Sequence, residues 1–93
     1  MKNILNIGGV MYDKFQDANV YVLDTHIHVS VDKNIKMKCG INPYNTKIID
    51  NFGDMRFDII QYSGQNKLFV VEHYSKLLTD NGIMILVPAY RSI

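Results

Sequence analysis

Two histidines separated by one residue, His26 and His28, are the clearest candidate for metal binding in this sequence. Side chains at positions i and i+2 of a strand point to the same face, and two imidazoles on one face can hold zinc. A zinc site needs further ligands, and the third histidine, His73, lies in a segment of helical spacing with no evident partner. We therefore interpret the pair as part of a solvated strand face and predict no metal site.

The single cysteine, Cys39, is a possible nucleophile, but no residue nearby in the sequence marks an activating base. A lone cysteine in an alternating strand pattern is more often a small buried hydrophobic residue. One cysteine cannot form an internal disulfide, which indicates a reducing, intracellular compartment such as the cytoplasm.

Charge and composition favour one ordinary globular domain over residues 1–93. Ten basic and nine acidic residues give a net charge of +1, so there is no electrostatic support for binding to nucleic acid or to an anionic membrane. Hydrophobic residues make up 47% of the chain, too many for a disordered segment. No apolar run approaches the roughly 20 residues that span a bilayer.

Two apolar runs end directly at residues that could contact a ligand. The run at residues 4–7 predicts a buried strand and is ended by Gly8 and Gly9, which allow a tight turn and a close approach of the backbone to a ligand. The run at residues 20–23 predicts a second strand and is ended by Asp24, whose carboxylate can accept hydrogen bonds from ligand hydroxyls.

The elements between these strands and the last third of the chain are short. Residues 10–17 can hold one or two helical turns. Residues 25–31 and 35–41 both alternate between apolar and polar positions, so a hairpin with a turn at residues 32–34 is possible. A short helix is predicted over residues 46–52.

The C-terminal third has the strongest pattern. Residues 57–62 predict a strand, Asn66 can cap a helix over residues 67–78, Gly82 can end that helix with a positive φ angle, and residues 83–87 predict a continuous apolar strand. The apolar positions at helical spacing are Leu68, Val71, Tyr74 and Leu78.

Continuous apolar strands joined by a helix are typical of β-α-β units, whose parallel sheets are covered on both faces. We predict a three-layer, Rossmann-like α/β domain with a mainly parallel sheet of about five strands. A hairpin within residues 25–41 would make the sheet mixed.

The order of these elements resembles the core of class I S-adenosylmethionine-dependent methyltransferases. The stretch FDIIQYSGQNKLFVVEHYSKLLTDNGIMILV resembles the C-terminal half of that core, ILNIGG resembles the first strand with its glycine-rich loop, and VYVLD resembles the second strand. The resemblance implies a cofactor, S-adenosylmethionine, held by Gly8, Gly9 and Asp24, with Tyr62 and Ser63 near the reacting methyl group. It implies methyl transfer if the protein is an enzyme, with the catalytic residues unknown.

This sequence also departs from the family pattern. Asn6 stands where the family carries an acidic residue, and Gly8 and Gly9 replace three spaced glycines. The chain ends after the expected fifth strand, so the core is expected to be truncated and degenerate. The alternative is a non-catalytic scaffold that has lost the cofactor and works as a homo-oligomer or with a partner. The expected contact is the sheet edge formed by the strand from Ile83 to Val87.

Overall fold

The computed structural model describes residues 2–8, 17–24, 35–39 and 41–88. These residues form five strands, two α-helices and one turn of 3₁₀ helix. In chain order the elements are β1 (Lys2–Ile7), β2 (Ala18–Asp24), β3 (Ile35–Cys39), α1 (Thr46–Asp50), β4 (Phe57–Gly64), α2 (Lys67–Tyr74), the 3₁₀ turn (Ser75–Leu77) and β5 (Leu78–Pro88).

All five strands belong to one sheet in the order β3-β2-β1-β4-β5, and each neighbouring pair is parallel. The predicted α/β class and parallel sheet are thereby confirmed. The strand that follows β2 in the described chain is β3, and it pairs parallel with β2. The first arm and the turn of the alternative hairpin, at residues 25–34, lie outside the described residues, as does nearly all of the helix predicted over residues 10–17.

The main hydrophobic core lies on the face of the sheet that both described helices cover. Its strand side chains follow alternation in β1 and from Ile60 to Tyr62 in β4, because every second residue of a strand points to the same face. Phe57 joins the same core across the register irregularity between Phe57 and Ile59. From α1 it takes Ile49, and from α2 it takes Val70 and Tyr74. The strand members are Leu5, Ile7, Leu23, Phe57, Ile60 and Tyr62.

A smaller cluster lies on the opposite face of the sheet. Its buried members are Ile4, Ala18, Val20 and Val22, with Ile59 packed beside them. All of these residues belong to strands, and no helix of the described part of the chain contributes to this cluster. The third layer of the expected three-layer arrangement therefore stays a prediction.

The buried face of α2 differs from the face predicted by apolar spacing. Leu68 is 72% exposed and Val71 is exposed, whereas Val70, Tyr74 and Leu77 are buried. The α-helix ends at Tyr74, and the 3₁₀ turn carries Leu77 into the core. The predicted burial of Tyr74 is confirmed, and Leu78 packs against the main core. The predicted burial of Leu68 and Val71 is wrong, because packing against the sheet, and not helical spacing alone, selects which apolar side chains are buried.

The start of α2 at Lys67 is confirmed, but the predicted cap by the Asn66 side chain is not: that side chain makes no capping hydrogen bond. Instead, the Asn66 backbone N–H donates to the Tyr62 hydroxyl at 2.9 Å. A tyrosine from the preceding strand therefore satisfies a donor beside the helix start.

The role predicted for Gly82 is also wrong, because its φ angle is not positive. β5 continues through this glycine, and a register shift places Leu78 opposite Phe57 and Ile83 opposite Ile59. A Cβ atom at Gly82 would lie 2.9 Å from the carbonyl oxygen of Phe57. A close approach between β5 and β4, not a left-handed turn, explains the glycine.

Candidate functional site

The candidate site lies where β1, β2 and β4 reach their carboxyl ends. From β1 the strand order runs outward through β2 to β3 on one side, and β4 and β5 lie on the other side. The direction of winding therefore reverses between β1 and β4. In open parallel sheets, ligands bind outside the carboxyl ends of the strands at such a reversal.

Gly8 directly follows β1 and stands at this reversal point. Its φ angle is 85°, a left-handed conformation that favours glycine. A Cβ atom here would overlap the carbonyl oxygen of Ser63 at the end of β4. The Gly8 N–H donates to the Leu23 carbonyl at 2.9 Å, which ties the turn to β2. The glycine is thus required by contacts with the protein's own backbone.

Asn6 supports the same turn from inside the sheet. Its side chain is 1% exposed, and its Nδ2 donates to the Gly8 carbonyl oxygen at 2.9 Å. Asn6 occupies the position at which an acidic residue was expected from the resemblance. Its amide holds the glycine turn in shape, a role that the sequence analysis did not assign.

Asp24 ends β2 beside the glycine turn and is buried, with 6% of its surface exposed. Its backbone carbonyl accepts a hydrogen bond from the Ile41 N–H at 3.2 Å, which fixes the end of the strand. Val20 and Val22 belong to the smaller cluster, so strand alternation directs Asp24 to the same face of the sheet.

Two polar residues of β4 point to this face as well. Ile59 packs on the smaller cluster, so Gln61 and Ser63 follow it by alternation. Gln61 is buried and stands opposite Asn6 in the register of β1 and β4. Neighbouring strands lie about 4.8 Å apart, which places the ends of β2 and β4 about 10 Å apart across β1. Gly8, Asp24 and Ser63 therefore meet on one rim, with Asn6 and Gln61 beneath them.

Tyr62 is held on the other face of the sheet, in the main core. It is 1% exposed, its hydroxyl accepts the Asn66 N–H, and it shares a 2.7 Å hydrogen bond with the Tyr44 hydroxyl. The structure therefore separates the Tyr62 side chain from the rim formed by Gly8, Asp24 and Ser63. The remaining predicted cofactor residue, Gly9, lies outside the described residues.

Two tyrosines near Tyr62 have raised pKa values. Burial, followed by the hydrogen bond to Tyr62, raises the pKa of Tyr44 to about 12. Burial, followed by the nearby Tyr44, raises the pKa of Tyr74 to about 12, and the Tyr74 hydroxyl donates to the Pro43 carbonyl. Both phenols stay protonated at neutral pH and do not act as bases. Their hydrogen bonds hold the segment of Pro43 and Tyr44 against α2 and β4.

Histidines show no metal-binding arrangement in the described residues. His73 stacks on Phe69 with ring centroids 4.1 Å apart, and its Nδ1 is 3.0 Å from the Phe69 carbonyl oxygen. In the described ranges, no three His, Cys, Asp or Glu side chains group closely enough to hold a metal ion. His26 and His28 lie outside those ranges.

A separate groove of about 260 Å³ lies at the amino end of β4. The residues that line it are Ile49, Asp50, Gly53, Arg56, Lys76 and Leu77. The Arg56 guanidinium donates to the carbonyl oxygens of Gly53 at 3.0 Å and Met55 at 2.8 Å, so it closes its own turn. This groove lies at the opposite end of the strands from the rim formed by Gly8, Asp24 and Ser63.

The signal that could have revealed Asn6 and Gln61 is an amide residue inside an otherwise apolar strand. Buried polar side chains are uncommon and are retained where they hold structure or meet a ligand.

Searches of family models, curated proteins and solved structures find no match to this chain. In the described part of the chain, no helix is long and apolar enough to cross a membrane.

Proposed function

We propose that this chain is a Rossmann-like domain of the methyltransferase class that binds S-adenosylmethionine at the carboxyl edge of its sheet. The observation that carries the proposal is the strand order β3-β2-β1-β4-β5, which puts Gly8, Asp24 and Ser63 around the reversal point. This order matches the nucleotide-binding doubly wound sheet. We expect the protein to act in the cytoplasm.

The residues present fit such a ligand mainly through Asp24. A carboxylate at the end of the second strand can accept hydrogen bonds from the two ribose hydroxyls. The Gly8 N–H is used by Leu23, so the glycine turn contributes a side-chain-free surface and not a hydrogen-bond donor. Ser63 adds a half-buried hydroxyl across the turn.

S-adenosylmethionine, when bound, would supply an electrophilic methyl group. What this chain contributes to such a reaction is positioning, which can account for much of the rate of a displacement. Asn6 and Gln61 would line the floor beneath the ligand. A partner or second subunit would complete the acceptor side.

The test is calorimetric titration with S-adenosylmethionine and S-adenosylhomocysteine, applied to the wild-type protein and to the Asp24→Asn variant. We expect micromolar binding by the wild type. A hydrogen bond to a charged group contributes about 1.5–3 kcal/mol, so Asp24→Asn should bind about tenfold more weakly or worse.

The matched control is Asp50→Asn, which neutralises an exposed carboxylate at the opposite end of the sheet. Circular dichroism confirms that each variant is folded. Equal affinities of the Asp24 and Asp50 variants would refute the role of Asp24, and absence of binding by the wild type would refute the function itself.

A second candidate function is a non-catalytic scaffold that works by association. The observation that favours it is β5, the last strand in the sheet order, which carries three exposed large hydrophobic side chains. Ile83 is 55% exposed, and Ile85 and Leu86 are each 37% exposed. An apolar edge strand of this kind is suited to pairing with another chain.

A further inference from the structure

We infer that two copies of this chain pair through antiparallel contact of their β5 strands, about a two-fold axis at Ile85. This inference rests on the second candidate function and names its partner and its register. The two five-stranded sheets would join into one continuous sheet of ten strands.

The first argument is the position and length of β5. It is an 11-residue strand, and in the described part of the chain β4 is its only strand neighbour. No strand of the described ranges pairs with its outer side, and the backbone N–H and C=O groups of such an edge are a template for another strand.

The second argument is that this edge lacks the usual protection against pairing. Natural edge strands are shielded by charged side chains, prolines or bulges. Residues 81–87 contain no charged residue and no proline, and Asp80 and Pro88 stand only at the two ends. The register shift falls between Leu78 and Ile83, and the pairing with β4 from Ile83 to Pro88 is regular.

The third argument is the register that symmetry allows. Opposed residues of an antiparallel pair share the same hydrogen-bonding type, so a two-fold axis must pass through a residue facing its own copy. With the axis at Ile85, Ile83 faces Val87 and Met84 faces Leu86 of the second copy. Every cross-strand pair from 83 to 87 is then apolar on apolar.

The fourth argument concerns the two faces of the sheet. A two-fold axis perpendicular to the sheet keeps the helix-covered faces of both copies on the same side. Met84 packs on the main core, so Ile83, Ile85 and Val87 point by alternation to the opposite face, where the smaller cluster ends at Ile59. Pairing would extend that small cluster across the junction.

Cysteine substitutions test the register, in a Cys39→Ser background that removes the native thiol. At the axis, the two Cα atoms would be about 4.5–5.5 Å apart, within the range that a disulfide bridges. Ile85→Cys should therefore form a disulfide-linked dimer on mild oxidation. Ile83→Cys is the matched control, because its copies would be about 13 Å apart along the strands. Equal cross-linking of the two variants, or cross-linking of neither, overturns the register.

Light scattering after size exclusion tests the association itself. The wild type should have a mass near twice the 10.7 kDa of one chain. Ile85→Lys should halve the mass, and Leu68→Lys, a charge on exposed α2, should leave it unchanged. Ile85→Thr is a milder variant for use if the lysine variant misfolds. It should shift the equilibrium towards the monomer.

A monomeric wild type at high concentration overturns the inference. If a monomeric wild type binds S-adenosylhomocysteine, the cofactor proposal survives alone. A monomer that binds a foreign protein through β5 keeps the scaffold function and refutes pairing between copies.

Discussion

At the scale of single residues, the turn after β1 is shaped by contacts of Gly8 and Asn6 with the protein's own backbone. Gly8 has a left-handed conformation and lies against the Ser63 carbonyl, and Asn6 bonds to the Gly8 carbonyl oxygen. These contacts within the protein define the shape of the turn. Asp24 is a charged residue of this rim, and the proposed ribose contact depends on it.

Gly8→Ala should destabilise the protein by about 2 kcal/mol or more, because it combines a strained φ angle with an overlap against Ser63. The matched control is Gly53→Ala, since Gly53 has a φ angle of 54° but no atom within 4 Å of its Cβ position. That control should lower the free energy of unfolding only by the backbone strain, about 1 kcal/mol. Urea unfolding gives both values. Equal losses in the two variants would show that the contact with Ser63 is not the cause.

At the scale of elements, α2 is positioned by its contact with the sheet and not by its overall amphipathic pattern. Val70 is fully buried, and Leu68 is largely exposed two residues earlier. Tyr62 also contributes to the start of the helix through its bond to the Asn66 N–H. The helix is therefore anchored on β4 at its first turn and on the main core along one stripe.

Val70→Ala should lower the free energy of unfolding by about 1–3 kcal/mol, since it removes buried methyl groups and leaves a cavity. Leu68→Ala, which removes more atoms from an exposed position, should change it by less than about 0.5 kcal/mol. Denaturant titrations of the two variants check this order. A larger loss for Leu68 would mean that the other stripe of the helix is the buried one.

At the scale of the whole molecule, the segment between β3 and β4 is tied to α2 and to β4 by hydrogen bonds between residues far apart in sequence. The Tyr74 hydroxyl donates to the Pro43 carbonyl, 31 positions away, and Tyr44 bonds to Tyr62. Both contacts close the helix-covered side of the fold. The opposite face has the smaller cluster of Ile4, Ala18, Val20 and Val22.

The raised pKa of Tyr74 links these contacts to stability at high pH. The folded protein holds the phenolic proton more tightly than the unfolded chain, whose tyrosine pKa is 10.0, so this contribution is complete below pH 10. It should be lost as the pH rises from 10 to about 12. Urea titrations over this range should show a steeper loss for the wild type than for Tyr74→Phe. Parallel losses would contradict the linkage.

Three strands were predictable from the amino-acid sequence alone. Residues 4–7, 20–23 and 57–62 combine apolar composition with clear ends, and each lies within a strand of the sheet. The start of α2 and the positions of Gly8 and Asp24 at strand ends were also predictable. Glycine and polar residues that follow an apolar run mark the end of an element, and this signal needs only neighbouring residues. The identity of the ligand is a proposal drawn from this pattern.

The tertiary structure decided what depends on contacts between distant residues. Because β5 pairs with β4, the strand continues through Gly82. Packing against the sheet buries Val70 and leaves Val71 exposed on α2. The register of β1 and β4 places Asn6 opposite Gln61. Among the described strands, the order places β5 at the edge of the sheet, and the pairing that we propose through its apolar side chains depends on that position. Local periodicity describes which residues can be buried, but only the assembled sheet fixes which of them face each other.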